Sequence, residues 1–162
     1  MRLNIIAIGK QKNDATYELV QTYFKRLPFA GDIIQIDSSH ASGPKRSMEE
    51  SNKIGTFLQI KAIKGYRLIT LDKSGTDTSS EELAELICKW RDDGVPSCYF
   101  AVGGTDGHTQ TLLKSANLCL RFGRATWPHL LFRAMLAEQL YRAEMILQNH
   151  PYHNGHLRQL KS

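Results

Sequence analysis

Short apolar runs recur along this chain, each followed by a stretch with helical spacing, and no other feature constrains the fold as tightly. Leu3–Ile8 ends at Gly9, and Ile33–Ile36 is a second such run. Arg67–Leu71 is a third, stopped by Asp72 and a Ser74-Gly75 turn. Cys98–Val102 is a fourth, stopped by Gly103-Gly104, and Leu118–Phe122 a fifth, stopped by Gly123. Runs of this length, bounded by turn residues, read as strands. Between them the spacing predicts helices over Asp14–Arg26, Arg46–Lys64, Ser80–Asp93 and Gln110–Ala116. The longest helix, Pro128–Gln148, opens on a proline and carries an apolar stripe through Phe132, Met135, Leu136, Leu140, Ala143 and Leu147.

Strands that are apolar almost throughout must be covered on both faces, so this order predicts an α/β fold on a parallel sheet. Ligands bind such sheets at the loops beyond the strands' carboxyl ends. Those loops here are Asp72–Gly75, Gly103–Gly107 and Gly123–Trp127, all with glycine. Residues 1–162 show neither repeat nor linker and read as one domain, with Ser38–Pro44 as a mobile loop.

Composition narrows the class of function. Hydrophobic residues at 41% and charged residues at 23% suit a globular protein and exclude a disordered one. No apolar stretch approaches the roughly 20 residues of a membrane span, and the run in Met1–Lys10 is too short for a signal peptide. Cys88, Cys98 and Cys119 have neither disulfide nor zinc spacing. The expectation is a soluble, reduced, cytoplasmic protein without a metal. The net charge of +5 is concentrated near one end: residues 121–162 carry six Lys and Arg against two Asp and Glu, with four of the six histidines. That end is either a solvated basic tail or a surface for an anionic partner such as RNA.

Three segments could carry chemistry. Val102–Gly107 (VGGTDG) is neither a P-loop nor a dinucleotide fingerprint, so it is a tight turn or a loop where a ligand approaches the backbone. Glu138 and Arg142 are four apart on the last helix, the spacing of an ordinary surface ion pair, and Arg133 reads as a solvated charge. Asn149–His156 packs three histidines, Tyr152 and Pro151 into eight residues. Such a segment is a frayed end, part of a metal site, or a flap that closes over a substrate, with His153 moving a proton.

Taken together, these segments resemble the RlmH-type SPOUT methyltransferases. The resemblance runs through Leu3–Gly9, Thr70–Asp72, the VGGTDG loop, Pro128-His129, Arg133, Glu138, Tyr141–Ala143 and Asn149–His153, covering residues 1 to about 153. It implies a C-terminal trefoil knot, a homodimer, and S-adenosylmethionine as methyl donor. The implied substrate is N3 of pseudouridine 1915 in 23S ribosomal RNA, within the large subunit or the assembled ribosome. By the same resemblance, the cofactor would rest on Leu71, Gly103, Gly104 and the loop Gly123, Arg124, Ala125, Thr126, Trp127 and Pro128. His153, Tyr152, Arg142 and Glu138 would form the catalytic group. Two features depart from the family's habit. Its glycine loop usually reads GGPEG, where Thr105-Asp106 stand here, and the chain continues through Asn154–Ser162, adding His156, Arg158 and Lys161. From the residues alone, a noncatalytic RNA-binding protein and a flavodoxin-like nucleotide binder remain alternatives.

Overall fold

The computed structural model describes residues 1–10 and 15–154. Its five strands are β1 (Arg2–Ile8), β2 (Ile33–Ile36), β3 (Arg67–Asp77), β4 (Ser97–Val102) and β5 (Leu118–Arg121). The helices are α1 (Ala15–Arg26), α2 (Gly43–Lys61), α3 (Ser80–Asp92), α4 (Gln110–Ser115), α5 (His129–Leu147) and the single turn α6 (Pro151–Asn154). All strand pairs are parallel, in the order β2-β1-β4-β3-β5.

The strands sort their side chains by alternation. Leu3, Ile5 and Ala7 of β1 join Ile69, Phe100 and Val102 in the core shared with Val20 of α1, Ile87 of α3 and Leu140 of α5. Ile6 and Ile8 face the other way, with Leu68, Tyr99 and Ala101, onto Ile54 and Leu58 of α2 and Leu112 of α4. The result is three layers, with α1, α3 and α5 on one face and α2 and α4 on the other. Helix α5 packs on both α1 and α3, which explains its broad buried face of Ala134, Leu136, Ala137, Leu140 and Ala143.

The structure corrects four sequence expectations. The Asp72–Gly75 loop does not end β3, because the strand resumes and runs to Asp77. Leu71 and Thr76 both pair with Leu120, so residues 72–75 form a bulge held by Asp72 Oδ1, which accepts from Ser74 N (2.9 Å) and Ser74 Oγ (2.7 Å). Helix α2 begins at Gly43 rather than Arg46, with Pro44 in its first turn, and the expected Ser38–Pro44 loop shrinks accordingly. That loop is also tied down, since Ser38 Oγ donates to Glu50 Oε1 (2.7 Å) and Arg46 Nε to the Ala41 carbonyl (2.7 Å). Arg133 is not solvated but 1% exposed, because β1 ends beneath α5 and its last carbonyls take the guanidinium. Asp14, expected to open α1, lies outside the described residues, as do 155–162 of the C-terminal extension.

Candidate active site

Strand register gathers the three loops at one edge. Leu71, the last residue of β3 before its bulge, pairs with Val102 on one side and Leu120 on the other. Gly103-Gly104 follows Val102 directly, and Gly123 comes three residues after Leu120.

The glycine loop is built on α2. Arg46 pairs with Asp106 (3.3 Å), Ser47 Oγ donates to the Gly107 carbonyl (3.1 Å), and Thr109 N donates to Ser51 Oγ (3.0 Å). Glu50 lies against Gly104, where a Cβ would stand 2.5 Å from Oε2. Residues 46, 47, 50 and 51 share one helix face, so a single polar stripe positions the loop. Sequence reasoning missed this stripe. The available signal was Glu50 itself, a carboxylate in i,i+4 series with the apolar Ile54 and Leu58. Asp106 gives its carboxylate to Arg46.

His108 closes this loop from below. It is 9% exposed, and the Ala101 carbonyl 3.1 Å away can only accept, so Nε2 carries the proton. Burial holds its pKa below the ordinary value of 6.5, against the pull of that hydrogen bond and of Asp72 and Glu50. The unfolded chain therefore binds the proton more readily than the folded one. Stability contributed by neutral His108 is complete above about pH 6.5 and falls as the pH drops from there toward the folded value. His108→Gln should flatten that acid limb. Urea midpoints at about pH 7.5 and 5.5 should differ less in the variant than in the wild type, and an unchanged difference would assign the limb to another group.

The second loop, residues 122–128, is closed by the Trp127 indole, which donates to the Phe122 carbonyl (3.2 Å). Arg124, Ala125, Thr126, Trp127 and Pro128 are exposed along it. Pro128 caps α5 rather than entering it.

The tail is folded back, not frayed. Asn149 adopts a left-handed conformation (φ 52°) after α5, and His150 N returns to the Met145 carbonyl (2.8 Å), the hydrogen-bond pattern that stops a helix and reverses its chain. Tyr152 then reaches back over α5. Its hydroxyl donates to Glu138 Oε1 (3.0 Å), the oxygen that also accepts from Arg142 Nε (3.0 Å) and Nη2 (2.5 Å). The Arg142 guanidinium sits 4.9 Å from the Tyr152 ring centre, and Tyr141 meets that ring edge-on at 4.9 Å. Burial, Tyr23 and Glu138 raise the Tyr152 pKa, so the phenol is a donor here and not a base. His153 Nε2 lies 2.9 Å from Glu81 Oε1 at the start of α3, while its buried Nδ1 has no partner. The bonds Glu81 receives from its own backbone N–H, from Ser79 and from His153 lower its pKa, so it is a carboxylate facing the ring.

Glu138 and His153 border a cleft of about 690 Å³ that also takes in Tyr23, Phe122, Gly123 and Met135. The structure thus joins Glu138, Arg142, Tyr152 and His153, and Gly123 reaches the same cleft. Leu71, Gly103 and Gly104 do not line it; they lie along the sheet edge. Among the described residues, no three or more His, Cys, Asp or Glu side chains come together as a metal site would need. No helix among them is long and apolar enough to cross a membrane.

A parallel sheet with its loops gathered at the carboxyl edge, and ionisable groups converging beside one of them, is the arrangement in which α/β proteins bind their ligands. Residues 1–153 match the family described as "Predicted SPOUT methyltransferase". The chain is 42% identical over 164 residues to the ribosomal RNA large subunit methyltransferase H of Rhodopseudomonas palustris (strain BisB5), covering 96% of this chain and all of that one. It is 39% identical over 153 residues to the protein of the same name from Novosphingobium aromaticivorans, covering 94% and 98% of the two chains. A crystal structure from Bacillus anthracis, described as a "putative RNA methyltransferase", shares the fold at a TM-score of 0.55 and 14% identity, covering 93% of this chain and 96% of that one. A protein of Haemophilus influenzae Rd KW20 described as a "probable methylase family protein" does so at 0.53 and 12%, covering 91% and 66%. The chain belongs to the SPOUT methyltransferase family.

Proposed function

We propose that the protein methylates large-subunit ribosomal RNA, with S-adenosylmethionine as donor and N3 of pseudouridine 1915 as acceptor. One observation carries the reading: the register that places Leu71 between the Gly103-Gly104 and Gly123–Pro128 loops, in a chain whose relatives are named for this RNA.

The residues suit the cofactor. A Cβ on Gly103 would stand 3.3 Å from the Gly107 backbone, and one on Gly104 would stand 2.5 Å from Glu50 Oε2, so both positions call for glycine in a loop whose backbone amides and carbonyls would hold an adenosine. Leu71, Gly103, Gly104 and Gly123–Pro128 would hold the cofactor, which supplies a methyl group already activated on a sulfonium. What remains for the protein is to align the acceptor and remove one proton. Methylation at N3 requires the proton there to leave. His153 is suited to take it, because the Glu81 carboxylate 2.9 Å from Nε2 holds the ring and would stabilise the imidazolium that forms. Arg142, anchored by Glu138 and stacked on Tyr152, offers its charge to RNA phosphate or to the ring as it becomes anionic. The same reading includes the trefoil knot, a cytoplasmic location with the ribosome, and a homodimer in which a second copy covers the exposed Leu19 and Leu131 at the cleft's rim.

The reading is tested by mass mapping of 23S ribosomal RNA from cells lacking the gene, with and without its return; an unchanged map would reject it. Calorimetry with S-adenosylmethionine separates it from a noncatalytic RNA-binding role. Gly103→Val should weaken cofactor affinity by about 10-fold or more, since it crowds a loop already at contact distance, while circular dichroism stays native. Unaltered affinity would move the cofactor elsewhere.

A further inference from the structure

The chain leaves β1 for β2 on one side of the sheet and leaves β4 for β5 on the other, with α1 and α4 on opposite faces. The carboxyl ends of β1 and β4 therefore flank a switch point, the place where parallel sheets open a ligand crevice. A charged side chain at each of these ends lacks a full set of partners. Glu50 is 1% exposed; its Oε1 accepts from Ser38 Oγ (2.7 Å) and Ser39 N (3.2 Å), but Oε2, which faces Gly104, accepts nothing. Arg133 is equally buried; its Nη2 donates to the Ile8 and Gly9 carbonyls, but Nε and Nη1 have no acceptor. Ile8 touches both neighbourhoods, since its Cγ2 would lie 3.3 Å from a Cβ on Gly104. His129, exposed at the start of α5, is within the electrostatic reach of both charges. Buried polar atoms are almost always paired, so an unmatched acceptor at the end of β4 and two unmatched donors at the end of the neighbouring β1 call for a functional account.

We propose that Glu50 and Arg133 read the target base, entering between the glycine loop and the start of α5, through the N1–H and C2=O edge that distinguishes pseudouridine from uridine. The inference rests on the function proposed above and deepens it. Pseudouridine is joined to its sugar through carbon, so N1 keeps a hydrogen; in uridine N1 bears the sugar. Glu50 Oε2 accepts from N1–H, and a free N–H of Arg133 donates to O2. N3, the next atom around the ring, then faces the methyl donor. A uridine in the same place leaves the buried carboxylate without its donor, and sites built around such a bond reject the analogue lacking it.

The test compares single-turnover kcat/KM of wild type and Glu50→Gln on two RNAs differing only in pseudouridine or uridine at the target. Wild type should prefer pseudouridine by about 100-fold or more, and the variant should lose about 10-fold or more on pseudouridine and little on uridine. Its calorimetric affinity for S-adenosylmethionine should stay within about twofold. Equal losses on both RNAs, or weakened cofactor binding, would make Glu50 only a support of the glycine loop and overturn the proposal. An arm independent of folding and of slow uridine turnover uses wild type on N1-methylpseudouridine RNA, which should be as poor a substrate as uridine; full activity there would also overturn it. Wild type that methylates none of the RNAs would instead reject the function itself.

Discussion

Truncation after Asn149 is expected to lower methyl transfer by roughly 10²–10⁴-fold, the range for losing a positioned proton acceptor, while S-adenosylmethionine affinity stays near wild type. The cut removes His153 from Glu81 and Tyr152 from Glu138, leaving Arg142 without the ring it stacks on. It removes none of the loops around Leu71. The interior of α5 stays packed between α1 and α3, so the fold should survive. His153→Ala alone should reproduce most of the loss. Glu81→Gln should cost less, because it weakens only the hold on the ring. Single-turnover assays with calorimetry make the comparison, and full activity in the truncated protein would remove the tail from the mechanism.

The second large effect is structural. Gly75→Val should destabilise the protein by roughly 3–5 kcal/mol, at the upper end for single substitutions. A Cβ at Gly75 would lie 2.5 Å from the Leu120 carbonyl carbon and 2.8 Å from that of Cys119, closer than atoms approach, and both are backbone. Neither can rotate away, so β5 must move off β3. The movement would carry Leu120 from Leu71, and the variant should therefore lose cofactor binding along with stability. Gly55→Ala in α2 is the control: a Cβ there meets nothing within 4 Å, and alanine in a helix should be neutral or gain about 0.5–1 kcal/mol. Urea unfolding of both variants is the measurement. A Gly75→Val midpoint near wild type would show that the bulge tolerates a side chain.

The contrast between these residues shows which parts of the molecule were legible in the sequence. Strand positions came within a residue or two, β3 apart, because apolar runs and glycine stops are local signals. The bulge in β3 was not legible, since Asp72, Ser74 and Gly75 are turn residues by every local rule and only pairing with β5 resumes the strand. Arg133 looked solvated for a similar reason: what buries it is the end of β1, more than 120 residues earlier in the chain. At the site, the spacing of Glu138 and Arg142 was readable on one helix. Their link to Tyr152 depends on the left-handed turn at Asn149, which no periodicity encodes.

The position of β1 in the sheet also bears on how the protein is made. Ile5 pairs with Ile33 on one edge and with Phe100 on the other. During synthesis the first edge finds its partner early, while the second stays open until β4 has left the ribosome. The nascent chain thus carries an unsatisfied, apolar strand edge through most of its translation, a state prone to stray pairing and suited to capture by chaperones. Closing that edge requires contacts between residues about 95 apart, the kind of long-range pairing that slows folding. Refolding from denaturant and release from the ribosome should therefore share one slow event, the arrival of β4 beside β1.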